Sequence, residues 1–100
     1  MKSTKGELFV RNDRKNKATV EIYGQKYTFV GKVSESYIQE IAAFVDEKMN
    51  ELAEKNPSLD MTRVAVLTAV NLAEDYFSLQ KDYEDLLKLI EEQTKNEKSK

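Results

Sequence analysis

The sequence predicts an α+β fold: an N-terminal β-hairpin, then two helices, the second a long C-terminal coiled-coil helix. Three observations predict it. Residues 18–30 alternate apolar and polar side chains around a glycine-containing turn. From Ile38 to Leu52, apolar residues recur every three or four positions, the period of one helical face. From Met61 to Lys100 there is neither Gly nor Pro, and an apolar repeat of alternating three- and four-residue steps runs through the stretch.

In the hairpin, Val20 and Ile22 fall on one face and Thr19, Glu21 and Tyr23 on the other. Gly24-Gln25 suits a two-residue type II′ turn, whose first position favours Gly for its positive φ. That turn sets Tyr23 opposite Lys26, Ile22 opposite Tyr27, Glu21 opposite Thr28 and Val20 opposite Phe29. Val20, Ile22, Tyr27 and Phe29 then share one apolar face. Two strands alone are marginal in water, so this face requires a helix or a partner chain against it.

The first helix opens at Ser34 or Ser36, and Ser36 with Gln39 has the spacing of a capping box. Ile38, Ile41, Ala42, Val45, Met49 and Leu52 form its apolar stripe. Asp46, Glu47, Lys48, Asn50 and Glu51 take the other side. Asn56-Pro57 ends it, because proline disfavours the helical conformation of the residue before it. Asp60 is placed to cap the next helix.

In the second helix, Ala69, Tyr76, Tyr83 and Ile90 occupy heptad a positions, and Leu72, Leu79 and Leu86 occupy d positions. The seam turns polar at Gln93. Lys81 with Asp85, Glu84 with Lys88, and Glu91 with Lys95 have the spacing of helical ion pairs, each contributing about 0.2–0.5 kcal/mol. Val64, Val66, Leu67, Val70, Ala73 and Phe77 lie off the seam, so the helix is apolar nearly all round before Phe77 and is expected to be buried there. Beyond Phe77 only the seam, with Leu87 and Leu89 beside it, is apolar. These patterns divide the chain into a basic flexible arm (1–17), a small α/β head (18–73), a protruding coiled-coil helix (74–94) and a disordered tail (95–100).

Length turns this division into a functional expectation. About 34 helical residues span roughly 50 Å, whereas a compact chain of this size has a radius of gyration near 13 Å. The hairpin and first helix are too small to cover such a rod. Burying Leu79 or Leu86 contributes about 1.5–3 kcal/mol each, so the seam predicts association with further copies of the chain. A 100-residue chain with no Cys also lacks disulfides as a source of stability, which adds to the case for oligomerisation.

The composition excludes most chemistry. With no His and no Cys, the commonest general base, the thiol nucleophile and the best zinc ligands are missing. The carboxylate clusters Asp46-Glu47, Asp82-Glu84-Asp85 and Glu91-Glu92 fall on outward helix faces, and there is no Gly-rich phosphate loop. The chain is therefore not expected to be an enzyme, and no cofactor or metal is expected. The apolar stretch from Met61 to Ala73 is too short and too interrupted to span a membrane, and the absence of Cys fits the cytoplasm. Lys2, Lys5, Arg11, Arg14, Lys15 and Lys17 make the arm basic, but such tails are commonly just solvated, and nucleic acid is not expected as a partner.

Three segments carry a resemblance. Val20-Glu21-Ile22-Tyr23-Gly24-Gln25-Lys26-Tyr27, then Val45-Asp46-Glu47-Lys48-Met49 closing the run from Tyr37, then Thr62-Arg63-Val64-Ala65-Val66-Leu67-Thr68-Ala69-Val70-Asn71-Leu72-Ala73-Glu74-Asp75 together resemble the ZapA family of bacterial cell-division proteins. The resemblance covers residues 18–93; the basic arm has no counterpart in it. It implies a small α/β head with a long C-terminal helix. It implies dimers formed through heads and helices, and tetramers through antiparallel coiled coils. It implies binding to the tubulin-like GTPase FtsZ in the cytoplasm at midcell, bundling of its protofilaments in support of the Z-ring, and reduced GTP turnover by FtsZ. By the same resemblance the charged head surface meets FtsZ, with Lys48, Glu51 and Arg63 as candidate contacts. Asn71, inside the apolar stretch, is expected to satisfy a buried hydrogen bond at the dimer interface. On the residues alone, a coiled-coil homo-oligomeric adaptor for a different cytoplasmic partner is the alternative.

Overall fold

The structure is a computed structural model and describes residues 7–9 and 16–98. Its elements are β1 (Glu7–Phe9), β2 (Asn16–Ile22), β3 (Gln25–Gly31), α1 (Glu35–Lys55) and α2 (Met61–Lys98). The chain separates into two compact units, Met1–Thr68 and Ala69–Lys100.

The first unit holds a three-stranded sheet of order β1-β3-β2. β1 runs parallel to β3, with Leu8 opposite Phe29, and β2 runs antiparallel to it. Lys2, Lys5, Arg11, Arg14 and Lys15 of the expected arm lie outside the described residues. Within it, however, Glu7–Phe9 is a strand and β2 begins at Asn16, so the ordered head reaches further towards the N-terminus than residue 18. Three residues are too few for alternation to reveal a strand, which is why only the apolar pair Leu8-Phe9 marks it in the sequence.

The hairpin turn also differs from expectation. Val20 pairs with Tyr27, Glu21 with Lys26 and Ile22 with Gln25, so the loop is Tyr23-Gly24 rather than Gly24-Gln25. Both loop residues have positive φ, 52° at Tyr23 and 79° at Gly24. A type I′ turn requires positive φ at both central positions, where type II′ requires it only at the first. The pairing is displaced by two residues, one full pleat repeat, so the faces read from the sequence survive although the partners change.

One sheet face packs on α1. Ala18, Val20, Ile38 and Ala42 form the buried cluster, with Ile22, Phe29 and Val33 against it. The opposite face carries Thr19 and Thr28, whose hydroxyls meet at 2.9 Å across the strands. Ser34 is the N-cap of α1 and its hydroxyl accepts from the Tyr37 N–H at 3.2 Å; Ser36 is already inside the helix. The Asn16 side-chain amide donates to the Val33 carbonyl at 2.8 Å and ties the start of β2 to the entry of α1. At the far end, the Asn56 N–H returns to the Ala53 carbonyl before Pro57.

Asp60 caps α2: its carboxylate accepts from the Arg63 N–H at 2.9 Å and its carbonyl from the Val64 N–H at 2.9 Å. Val64 is fully buried, and Thr68 beside it is buried with its hydroxyl donated to the Val64 carbonyl at 2.8 Å. This back-bond satisfies a polar group that would otherwise be stranded among apolar neighbours. The all-round burial expected of the start of α2 does not hold in the single chain, where Val66 and Val70 are exposed. The helix continues to Lys98, past the tail boundary at residue 94. The apolar seam ends at Gln93, but Lys, Glu and Gln are good helix formers, so the backbone has no reason to stop there.

Candidate functional site

In the second unit, α2 presents the heptad seam. Ala69, Tyr76, Leu79, Tyr83, Leu86 and Ile90 are all exposed, and Leu72 is half-buried. Leu79 is 69% exposed and Tyr83 63%, very high values for large apolar side chains. Leu87 and Leu89 flank the seam and are exposed as well. The Tyr76 and Phe77 rings lie with centroids 5.5 Å apart. Lys81 and Asp85 form an expected ion pair at 3.2 Å on the charged side. At that exposure it contributes little beyond local helix support. A contiguous apolar row of this length, bordered by charge, has the form of a protein-binding surface.

The first unit offers a second apolar surface. Between the sheet and α1 lies a hollow of about 260 Å³ lined by Ile22, Phe29, Ile38, Ile41, Ala42 and Val45. Ile41 belongs to the apolar stripe of α1 yet remains exposed, as do Tyr37 and Phe44. The apolar stripe legible in the sequence leaves out Tyr37 and Phe44. Their signal was available: they are large apolar residues lying off a stripe that already accounts for the helix's contact with the sheet.

The structure brings together two of the three candidate partner contacts. Lys48 and Glu51 line one shallow hollow of about 140 Å³ with Phe44 and Glu47. Arg63 is elsewhere, its guanidinium 3.2 Å from the Asp60 carboxylate at the first turn of α2, and its side chain remains 72% exposed. Asp46 does not behave as an outward carboxylate. It is half-buried and accepts from the Tyr23 N–H at 2.7 Å, fastening the hairpin turn to α1. Periodicity assigned it to the solvent side because the turn that reaches it is remote in sequence. Asn71 is half-buried and engaged with a partner.

Among the described residues, no helix is long and apolar enough to cross a membrane.

Comparison with known proteins agrees with this architecture. The sequence model of the family described as Cell division protein ZapA matches residues 18–100. A Cell division protein ZapA of Geobacillus sp. (strain WCH70) is 49% identical, over 77% of this chain and 88% of that protein. One of Bacillus thuringiensis (strain Al Hakam) is 55% identical, over 73% and 82% respectively. Among solved structures, the ZapA mutant dimer from Geobacillus stearothermophilus superposes with a TM-score of 0.62 at 44% identity, covering 82% of this chain and 95% of that one. On the extent of the family match and the identity of these relatives, the chain belongs to the Cell division protein ZapA family.

Proposed function

We propose that this protein binds FtsZ in the cytoplasm and crosslinks its protofilaments, supporting Z-ring assembly at midcell and reducing GTP turnover by FtsZ. The observation that carries the proposal is the exposed seam of α2, from Ala69 through Leu72, Tyr76, Leu79, Tyr83 and Leu86 to Ile90. Such a row is stable in water only when another chain covers it, and membership of the ZapA family supports a further copy as that chain. A homodimer carries two heads and a homotetramer four. Either can hold two filaments at once, and multivalency raises the strength of attachment to a repeating polymer with no new contact per head. The function requires no catalytic group or cofactor.

On the heads, the polar surface of α1 around Lys48 and Glu51, with Arg63 at the start of α2, is the proposed contact with FtsZ. Phe44 sits in the same hollow as Lys48 and Glu51, so an apolar anchor stands beside the charges, the composition that dominates many interfaces.

Co-sedimentation with FtsZ and GTP tests the reading. The expected result is more FtsZ in the pellet, increased light scattering from bundles and slower phosphate release. An unchanged pellet with unchanged scattering would overturn it and leave the adaptor role towards another partner, which a pulldown from cell extract would identify.

A further inference from the structure

Among the described residues, β2 borders the sheet, with β3 on one side of it and no strand on the other. In a two-residue hairpin the residues flanking the loop exchange hydrogen bonds, and such pairs then alternate along the ladder. Ile22 and Gln25 flank the loop. It follows that Ile22, Val20, Ala18 and Asn16 turn their backbone groups towards β3, while Glu21, Thr19 and Lys17 turn theirs outward. Among the described residues, no other backbone group bonds to these three. A row of outward N–H and C=O groups is a template for another strand.

The side chains along this edge say which strand fits. Read in either direction about Thr19, the segment Lys17-Ala18-Thr19-Val20-Glu21 presents one charge at each end, and the two charges are opposite. We propose that the outer edge of β2 is a second self-association surface, on which β2 of another copy pairs antiparallel about a twofold axis at Thr19. In that register Thr19 meets its own equivalent, and Lys17 meets Glu21 of the other copy in both directions. Each of these is a pair that exchanges backbone hydrogen bonds, so ladder and charges select the same alignment. A parallel alignment would instead set like charges opposite one another, which is destabilising.

Lys17, Thr19 and Glu21 are exposed and lie on the face away from α1. Their contacts within the chain also lie on that face: Lys17 to Glu7 at 2.8 Å, Glu21 in register with Lys26, and Thr19 with Thr28. The pairing continues this row across the joined sheet, and both copies of α1 come to lie on the other face. Because the edge is isologous, each head takes up one other head and the contact closes on itself. This surface is separate from the α2 seam and does not depend on the FtsZ reading; used together with the seam, it joins one seam-held oligomer to the next through their heads.

The natural chain has no Cys, so introduced thiols report without background. Lys17→Cys and Glu21→Cys chains are prepared in full length, treated with a short bifunctional maleimide separately and as a mixture, and run on denaturing gels. Antiparallel pairing puts position 17 of one copy opposite position 21 of the other, at a Cα separation near 5.5 Å. Equivalent positions are then roughly 13 Å apart along the strand. The expected result is a crosslinked dimer in the mixture and little in either chain alone. Equal yields in the three samples, or none in the mixture, overturn the proposal.

A charge exchange supplies a second readout. A Thr19→Cys chain is expected to crosslink to itself. Adding Lys17→Glu should lower that yield, and adding Glu21→Lys to the same chain should restore it, since the exchanged pair is again complementary. A yield indifferent to these changes overturns the proposal as well.

Discussion

At the scale of single residues, the hairpin turn concentrates the strain of the head. Tyr23 is a bulky side chain at φ 52°, a region that costs about 1–2 kcal/mol for most L-residues and that Asn tolerates better. The 2.7 Å hydrogen bond from its N–H to Asp46 offsets part of that cost. Tyr23→Asn is therefore expected to stabilise the protein by about 0.5–1 kcal/mol, read as a raised urea midpoint with an unchanged m-value. Asp46→Ala should lower the midpoint by the equivalent of about 1–2 kcal/mol, because it removes a charged acceptor from a half-buried N–H. If Asp46 were only a solubilising surface residue, the midpoint would not move. Neither effect is visible in sequence patterning. A helix wheel assigns Asp46 to solvent, and no local rule announces that a turn distant in sequence will reach it. The positive φ of Gly24 was legible from the glycine itself, whereas that of Tyr23 was not, because tyrosine is an unusual choice there.

At the scale of elements, the parts whose pattern extends over many residues were legible and the short ones were not. The stripe of α1 and the seam of α2 are repeated over several turns, and Pro57 and Asp60 mark the break between the helices with specific backbone chemistry. β1 has three residues and pairs in parallel with a strand beyond the next one, so neither alternation nor a turn signal points to it. Of the surface contacts, the seam could be read because its spacing is regular, while the hollow around Phe44 and Lys48 depends on which side of α1 the sheet takes. The seam carries the element-scale prediction. Leu79→Glu with Leu86→Glu places charge at two adjacent d positions, and sedimentation equilibrium should show a lower oligomeric state than the unaltered chain. An unaltered mass would show that the self-association lies elsewhere on the molecule.

At the scale of the whole molecule, crosslinking and binding are separable. If valency does the work, the Leu79→Glu, Leu86→Glu chain should lose bundling of FtsZ, measured by light scattering. Each head should still bind, with a weaker apparent affinity in a pelleting titration because avidity is gone. Loss of all binding together with bundling would place the FtsZ contact on α2 itself. A further consequence follows from the exposure of every residue from Ala73 to Thr94 in the lone chain. Isolated helices owe little of their stability to their own hydrogen bonds and melt readily without a packed face. The distal turns of α2 should therefore be ordered by mass action: circular dichroism at 222 nm should fall on dilution, and amide exchange from Leu79 to Thr94 should accelerate while the sheet stays protected. A cell holding few copies would then possess heads without rods, and its capacity to tie filaments together would switch on over a narrow interval of expression.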